Sequence, residues 1–387
     1  MSADLRWTRR DFLSTAAIGL VGFAGRGGSA GADERLAYVG TYTTDGRSDG
    51  IHRLRLDTAS GALRLDGLAA KAANPSYLTL HPNGRVLYAV NEISTFAGQP
   101  TGSVSAFAIT RATGALTLLN QEASQGDSPC YVSVDHTGTV VLVANYGSGS
   151  IATIPVRQDG RLRTARRVVQ HAGKGADPVR QTAPHAHCIL ADPGNKFVLA
   201  VDLGIDALLT YRFDARTAAI EVITPGAATK AGAGPRHLTF HPNGRFAYVV
   251  NELDSTVATY RYDGEHGTLD EVQVTAASPG GTVTPNHPAD VHVARSGRFL
   301  YLSNRGDDTI AVFAIDASSG QLSPVQQISG GGKWPRNFTL DPSGRFLVAA
   351  NQRSDSIASF RIDAESGRLT PTGSAVTVAN PVCVLFR

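Results

Sequence analysis

A short proline-containing motif recurs seven times along the 387-residue chain, and it constrains the fold more than any other feature. In each copy the proline opens a short stretch that continues into apolar residues. The prolines are 46 to 55 residues apart, and they are Pro75, Pro129, Pro184, Pro235, Pro288, Pro335 and Pro381. Self-similarity at such a period is typical of architectures that repeat one supersecondary unit. We therefore expect a repeat array rather than two or three unrelated domains.

Two further motifs follow the proline motif along the array. One is a turn that leads into an apolar strand, as in His81–Arg85 followed by Val86–Asn91. The other is a hairpin signal of the form Asp-x-x-Ser-Gly-x-Leu, as at Asp316–Leu322. The intervening strands are short and rich in β-branched and aromatic residues. Each repeat therefore predicts four antiparallel strands, and the fold class is all-β, a seven-bladed β-propeller.

The two ends of the array complement each other. Leu36–Thr41 resembles the second strand of a blade, and the final segment, Pro381–Phe386, resembles a first strand. We expect the C-terminal strand to pair with the N-terminal blade, which closes the ring and leaves no open sheet edge. Residues 33–387 are then a single propeller domain. The first strand of each blade is expected to be innermost and to line the central channel.

Residues 1–32 have the layout of an export signal. Thr8–Ser14 contains an arginine pair in a twin-arginine pattern, a weakly apolar stretch follows, and Ala30–Ala32 is a small-residue cleavage site. The sequence predicts a signal peptide over residues 1–32, the twin-arginine translocase as a partner during export, and a mature protein in the periplasm or outside the cell.

Composition excludes several classes of protein. The 36 Lys and Arg against 33 Asp and Glu give a net charge of +3, which is close to neutral and indicates no nucleic-acid partner. No apolar run reaches the roughly 18 residues that a membrane span needs. The three cysteines are too few for a disulfide framework. We expect a monomer whose mature chain does not span a membrane.

The first strands carry polar residues at two successive positions. His187, Arg236 and Arg336 share the first position, and His237 and Asp290 occupy the second. Such a ring is too polar for core packing. A solvated channel wall would explain it, but two arginines and several histidines at one rim favour a ligand that is anionic or carries a carbonyl group.

The ends of the second strands form another polar ring. An asparagine recurs there and is expected to close a turn with its side chain, whereas the residue after it varies: Glu92 and Tyr146 in two blades, Glu252 and Arg305 in two others. Glu252 and Arg305 lie on neighbouring blades and are the strongest candidates of this ring. The alternative is a surface ion pair between them, worth about 0–1 kcal/mol.

His185 and His187 are two residues apart, which places both on one face of a strand. Such a pair could bind zinc, but the spacing shows no third clustered ligand, so neither a metal site nor a cofactor is predicted. The three cysteines all lie on first strands and are expected to be small apolar fillers.

Taken together, these segments resemble the lactonase family of seven-bladed propellers, which includes the propeller-type bacterial 6-phosphogluconolactonase and the fungal carboxy-cis,cis-muconate cyclase. The similarity covers about residues 36–387 and rests on Tyr38–Thr43, Asn74–Leu78, Ala144–Ser150, Pro184–His187, Gly234–Leu238, Asn251–Leu253, Ser303–Gly306 and Pro335–Phe338. The site proposed for the cyclase has a His, two Arg and a Glu. By motif these correspond to His185 or His187, to Arg236 and Arg305, and to Glu252.

The resemblance implies an enzyme that hydrolyses a small-molecule sugar lactone without metal, cofactor or covalent nucleophile. Glu252 or a histidine is the candidate general base, and Arg236 and Arg305 are candidates to hold the oxyanion and an anionic group. The predicted catalytic residues are Glu252, His187, Arg236 and Arg305, and the predicted substrate-binding residues are His185, His237, Arg336 and Asp290.

Two other functions stay open at this point. An exported propeller can be a binding module without catalysis, and a muconate-cyclase-like enzyme would close a lactone ring instead. A binding scaffold has no need for these charged side chains on converging blades, which favours an enzyme. The predicted export also bears on the substrate, because a phosphorylated gluconolactone is a cytoplasmic metabolite.

Overall fold

The structure is a computed structural model that describes residues 33–282 and 285–387. The predicted signal peptide, residues 1–32, lies outside the described residues. Within them the chain forms 28 β-strands and two short 3₁₀ turns, Leu203–Ile205 and Gln352–Ser354. No helix in this part of the chain is long and apolar enough to cross a membrane.

The strands form seven antiparallel sheets of four, and each sheet is one blade. Blades 1 to 3 contain, in chain order, β1 (Glu34–Thr41), β2 (Gly50–Asp57) and β3 (Leu63–Lys71); β4 (Leu78–Leu80), β5 (Val86–Asn91), β6 (Ser103–Ile109) and β7 (Leu116–Ala123); and β8 (Pro129–Val134), β9 (Val140–Asn145), β10 (Ser150–Pro155) and β11 (Arg167–Gln170).

Blades 4 to 7 follow in the same order. They contain β12 (Ala186–Ala191), β13 (Phe197–Asp202), β14 (Ala207–Asp214) and β15 (Ala219–Ala228); β16 (Pro235–Phe240), β17 (Phe246–Asn251), β18 (Thr256–Asp263) and β19 (Thr268–Ala276); β20 (His287–Val293), β21 (Phe299–Arg305), β22 (Thr309–Ile315) and β23 (Leu322–Ser329); and β24 (Pro335–Leu340), β25 (Phe346–Asn351), β26 (Ser356–Ile362) and β27 (Leu369–Thr377). The final strand, β28 (Pro381–Phe386), belongs to blade 1.

The second strand of each blade is an almost unbroken apolar run. In β9, which reads Val-Val-Leu-Val-Ala-Asn, every residue is buried. Both faces of such a strand pack against neighbouring blades, so its sequence does not alternate. The outermost strands alternate instead, as in β27. The core therefore lies between blades, as where Phe246 and Tyr248 of blade 5 pack with Leu300 and Phe313 of blade 6.

A repeated hydrogen bond also ties neighbouring blades together. A tyrosine on a second strand donates its hydroxyl to the carbonyl of a hairpin glycine in the next blade, over 2.8–3.0 Å; the pairs are Tyr38–Gly114, Tyr88–Gly160, Tyr248–Gly320 and Tyr301–Gly367. Gly320 has a φ of +76°, and an added Cβ would lie 2.5 Å from the Phe246 ring. The hairpin glycine is therefore required by both the turn and the packing.

The C-terminal strand closes the ring in blade 1. β28 pairs antiparallel with β1, with Ala37 opposite Phe386, and the N–H of Arg387 donates to the carbonyl of Leu36 at 2.9 Å. β28 also contacts β24 on one side and β4 on the other, so the innermost strands form a complete circle. The predicted seven-bladed β-propeller, closed by the C-terminal strand, is confirmed.

The recurring asparagine at the end of the second strand fixes the backbone beside the channel. Its amide donates to a carbonyl of the loop that leads into the first strand, as from Asn91 to Ala73 at 2.8 Å and from Asn304 to Ala277 at 2.9 Å. The first strand begins, and the second ends, at this edge of the blade. The variable residue after the asparagine is therefore held at a defined place.

Candidate active site

A cavity of about 270 Å³ lies at the edge where first strands begin and second strands end. These two ends meet because the strands are antiparallel. In the described part of the chain the cavity is lined by Tyr42, Glu92, Cys130, Tyr146, Arg180, His187, Glu252, Arg305 and Arg336. Both polar rings that the sequence indicated therefore contribute to one cavity.

The polar position on the first strands is a β-bulge. In β12, β16 and β24 the register with the second strand shifts by one residue at His187, Arg236 and Arg336. A bulge leaves its extra residue unpaired and redirects the side chain, and bulges are frequent beside active sites. The bulge thus places one redirected side chain from each of these three blades at this edge of the channel.

Glu252 contacts three arginines. Its Oε2 lies 2.6 Å from Nη2 of Arg305 and 3.0 Å from Nε of Arg236, and its Oε1 lies 2.8 Å from Nη2 of Arg180. Arg236 is 2% exposed, and Glu252 and Arg305 are 4% exposed. The cluster is therefore buried, unlike the surface ion pair that the sequence left as an alternative, and it carries an excess of positive charge.

Opposing effects act on the Glu252 carboxyl. Burial raises its pKa, but Arg305 and Arg236 outweigh burial and hold the pKa well below its ordinary value. Glu252 is therefore a carboxylate at neutral pH. A carboxylate that is so strongly stabilised as an anion is a weak proton acceptor.

Arg236 lies behind Glu252 and does not line the cavity. Its Nη1 donates to the carbonyl of Ala289 and, over 3.0 Å, to Nε2 of His237. Its Nε makes an ionic contact with Glu252 without hydrogen-bond geometry. Because an arginine only donates, His237 accepts at Nε2 and carries its proton at Nδ1, which donates to Asp290 at 2.8 Å.

Arg180 is a cavity residue that the sequence analysis missed. It lies on the loop between β11 and β12, where Asp177 accepts hydrogen bonds from the N–H groups of Val179 and Arg180 at 2.8 Å each. The Gln181 side chain anchors the loop by donating to the carbonyl of Leu203 at 2.8 Å. This loop lies outside the repeated motifs, so a comparison of repeats gives no signal for it.

The two histidines at the start of β12 have different surroundings. His187 is 5% exposed and lines the cavity, and burial together with Arg236 holds its pKa well below its ordinary value, so the imidazole is neutral at neutral pH. His185 stacks on Tyr146 with ring centres 4.5 Å apart, and its Nδ1 lies 2.9 Å from the Tyr146 carbonyl oxygen. His187 therefore reaches the cavity, and His185 supports a residue that lines it.

Cys130 lines the cavity with its Sγ 3.7 Å from Nδ1 of His187. Burial raises the pKa of this thiol, so it stays protonated, and a protonated thiol is a poor nucleophile. Across residues 33–282 and 285–387, no three His, Cys, Asp or Glu side chains are grouped as metal ligands.

Arg336, Tyr42 and Glu92 form a second charged group in the cavity. The guanidinium carbon of Arg336 lies 5.5 Å from the centre of the Tyr42 ring. The Tyr42 hydroxyl donates to the Glu92 carboxylate, with its oxygen 3.1 and 3.0 Å from the two carboxylate oxygens. Arg336 forms no salt bridge with any residue that the structure describes. Its charge is therefore available to a ligand.

His237 and Asp290 do not reach this cavity. They line a second cavity of about 370 Å³ together with His292 and the stacked rings of Tyr77 and Tyr131, whose centres are 4.1 Å apart. Burial, with a further contribution from Arg236, lowers the pKa of His237 to about 4. The substrate-binding role suggested for His237 and Asp290 stays a prediction. His237 accepts a hydrogen bond from Arg236 and donates one to Asp290.

The fold and the cavity define the class of protein to which the chain belongs. Residues 36–386 match the family described as Lactonase, 7-bladed beta-propeller. The chain belongs to this lactonase family, and the resemblance inferred from the sequence is confirmed.

Two curated relatives and one solved structure that are similar to this chain carry lactonase names. The chain is 42% identical to the 6-phosphogluconolactonase of Bacillus subtilis over 91% of this chain and 98% of that one. It is 32% identical to the 6-phosphogluconolactonase of Formosa agariphila over 79% of this chain and 86% of that one. The solved structure of the periplasmic gluconolactonase of Pseudomonas aeruginosa is similar at a TM-score of 0.84 and 35% identity, covering 91% of this chain and 99% of that one.

Proposed function

We propose that the protein hydrolyses a sugar lactone to the corresponding sugar acid. Relatives with this activity in their names cover nearly the whole chain. The observation that carries the proposal is the pair of arginines at the cavity wall, Arg305 and Arg336, the second of which has no salt-bridge partner among the described residues. Attack of water on a lactone carbonyl creates an oxyanion, and preorganised cationic donors stabilise it.

The size of the cavity supports a small substrate. At about 270 Å³ it is close to the lower end of the range in which proteins bind small molecules, roughly 300–1,000 Å³. Its wall combines cations, a neutral imidazole and aromatic hydroxyl groups. A single sugar ring with several hydroxyl groups and one carbonyl suits this lining.

Neither of the general bases suggested by the family resemblance is a strong proton acceptor. A proton on Glu252 would leave buried arginines without their counter-charge. A proton on His187 would add positive charge beside Arg236. Burial, and then Arg236, already lower the pKa of His187. An efficient general base has a pKa near the operating pH. We assign Glu252 to holding Arg305 and Arg236 in place, and His187 to the cavity wall as a neutral hydrogen-bonding group.

Hydrolysis of aldonolactones by residues 33–387 tests the proposal. Each turnover releases one proton, so a pH-stat records the rate, and spontaneous hydrolysis is the blank. We expect saturable hydrolysis, and comparing kcat/KM for a phosphorylated lactone and its unphosphorylated counterpart identifies the substrate. Binding of a lactone without any rate above the blank would indicate a binding module, and proton uptake with an open-chain acid would indicate a lactone-closing enzyme.

We assign the oxyanion to Arg336, so replacing Arg336 with alanine is expected to lower kcat by about 10²–10³ while changing KM little, because the oxyanion exists only after water has attacked. Steady-state kinetics with one lactone measures this separation. Arg361→Ala is the matched control, since it removes the same charge from an exposed position on the same blade. Equal kinetics for the two variants would contradict the assignment of the oxyanion to Arg336.

The proposal includes export by the twin-arginine route to the periplasm or the outside of the cell. The arginine pair at residues 9 and 10 supports it, as does the periplasmic location in the name of the Pseudomonas aeruginosa gluconolactonase.

Replacing Arg9 and Arg10 together with lysine is expected to leave folded, active protein inside the cell. The change alters the export signal and no residue of the propeller. Cell fractionation with an activity assay of each fraction measures the distribution. Unchanged secretion of the double variant would show that the arginine pair is not the signal.

A further inference from the structure

Two carboxylates line the cavity, and their partners differ. Glu252 contacts three arginines, whereas Glu92 accepts hydrogen bonds from Tyr42 and forms no salt bridge within the described residues. Burial raises the pKa of the Tyr42 phenol, so the phenol stays protonated and donates to the carboxylate. Glu92 is therefore the cavity carboxylate that no arginine neutralises by direct contact.

Glu92 and Glu252 occupy the same position in their blades. Each follows the asparagine that ends a second strand, Asn91 in blade 2 and Asn251 in blade 5. The N–H of Glu92 donates to the carbonyl of Asn74 at 3.0 Å, and the carbonyl of Glu92 accepts from the Asn74 side chain at 3.0 Å. The backbone of Glu92 is thus fixed on both sides, which a reacting group requires.

The side chain of Tyr42 contacts both Glu92 and Arg336. Its hydroxyl binds the carboxylate, and its ring centre lies 5.5 Å from the guanidinium carbon. Glu92 and Arg336 face the same cavity without forming an ion pair with each other. A ligand that enters the cavity therefore meets both the carboxylate of Glu92 and the guanidinium of Arg336.

We propose that Glu92 is the general base that activates water for lactone hydrolysis and that Arg336 receives the oxyanion. This inference rests on the lactonase function proposed above. In the first step a water oxygen bonds to the lactone carbonyl carbon, one water proton moves to a Glu92 carboxylate oxygen, and the carbonyl electron pair moves to the oxygen beside Arg336.

In the second step the electron pair returns and the bond between the carbonyl carbon and the ring oxygen breaks. Glu92 gives its proton to the ring oxygen, which becomes a hydroxyl group, and the carboxylate is restored. The carboxylic acid product then ionises and releases one proton to solvent. One water is consumed for each lactone opened, and the enzyme ends the cycle unchanged.

Glu92 suits this role better than the two bases that the family resemblance suggested. Protonation of Glu252 leaves Arg236 and Arg305 unbalanced in a buried cluster, and protonation of His187 adds a cation beside Arg236. Protonation of Glu92 removes a charge that has no salt-bridge partner in the described chain. A proton on Glu92 therefore neither breaks a salt bridge nor places a second cation beside Arg236.

Chemical rescue tests the assignment. Glu92→Gln keeps the shape of the side chain but cannot accept the proton, so kcat is expected to fall by about 10²–10⁴ with little change in KM. Glu92→Ala leaves a gap that formate, a small carboxylate, can enter. Formate is expected to restore turnover saturably in Glu92→Ala and not in Glu92→Gln, where the amide fills the gap. Thermal unfolding of each variant verifies its fold.

Failure of this inference differs from failure of the proposed function. If the unaltered protein hydrolyses no lactone, the function itself is wrong. If it is active but Glu92→Gln keeps kcat within about threefold of wild type, Glu92 is not the base. An inactive Glu92→Ala variant that formate does not rescue also overturns the inference, because a purely structural role predicts that result. If Glu92→Gln does not fold, rescue of Glu92→Ala decides alone.

Discussion

Glu252→Gln is expected to lower the free energy of unfolding by about 3–5 kcal/mol, the cost of breaking a buried ion pair by removing one partner. The amide keeps the shape of the side chain but leaves Arg236 and Arg305, which are 2% and 4% exposed, without a counter-charge. Arg180, whose side chain is 37% exposed, can turn towards solvent and adds less. Denaturant unfolding of wild type and variant measures the difference.

The size of this effect is expected to depend on pH. Burial raises the pKa of Glu252, but Arg305 and Arg236 outweigh it and hold the pKa in the folded protein well below the ordinary value of 4.5. A depressed carboxyl pKa stabilises the folded state above the unfolded pKa, and this stabilisation is lost as the pH falls below it. The difference between wild type and Glu252→Gln should be constant near neutral pH and shrink below about pH 4.5.

A double variant shows whether Glu252→Gln loses stability because its arginines lack a counter-charge or because the side chains pack less well. Arg236→Met combined with Glu252→Gln removes one unmatched cation and keeps a long side chain, so the double variant should be more stable than Glu252→Gln alone. The exposed pair of Arg298 and Glu365, 3.5 Å apart, supplies the matched control, because Glu365→Gln should change stability little. If Glu252→Gln is as stable as Glu365→Gln, the cluster does not depend on its carboxylate.

The fold could be predicted from the sequence because independent signals agree in every repeat. The proline motif marks the innermost strand, the turn marks the start of the second, and the glycine hairpin joins the third to the fourth. Local turn chemistry and long-range periodicity therefore point to the same architecture. The two ends of the array also lacked the neighbouring strands that a complete blade needs. This predicted the pairing of Leu36–Thr41 with Pro381–Phe386.

The site could be predicted only where it lies on the repeat. His187 and Arg336 occupy one repeated position, on the first strands, and Glu252 occupies another, after the asparagine that ends a second strand, so a comparison of repeats finds all three. Which cavity the neighbouring side chains line could not be predicted, because the bulge at Arg236 interrupts the period-two alternation of the strand. His237, the next residue, consequently lines the second cavity instead.

The residues that contact a carboxylate also cannot be predicted from the repeat. Glu92 and Glu252 have the same place in their blades and the same preceding asparagine. Their surroundings differ because other elements supply different partners. Glu92 accepts from a tyrosine, and Glu252 contacts three arginines. One of those arginines, Arg180, comes from a loop outside the motifs, so only the folded structure shows that Glu252 is neutralised.

Deleting residues 381–387 is expected to prevent the propeller from folding. Val382, Val384 and Phe386 of β28 are 2%, 3% and 7% exposed. Burying such a side chain is worth about 1.5–3 kcal/mol, so together they approach the whole stability of a typical domain, about 5–15 kcal/mol. The deletion also uncovers β1 and the flanks of β24 and β4. Circular dichroism and thermal unfolding should show no cooperative transition.

A circular permutant supplies the matched control for this deletion. β28 runs antiparallel to β1, and the N–H of Arg387 binds the carbonyl of Leu36, so a short turn can join residue 387 to residue 33. A chain that runs from 381 to 387, through this turn, and on from 33 to 380 has the same strands in a different order. If pairing with β1 is what matters, rather than the position of β28 in the chain, the permutant unfolds cooperatively near the wild-type temperature. A deletion variant with wild-type cooperativity would show instead that blade 1 is stable without its innermost strand.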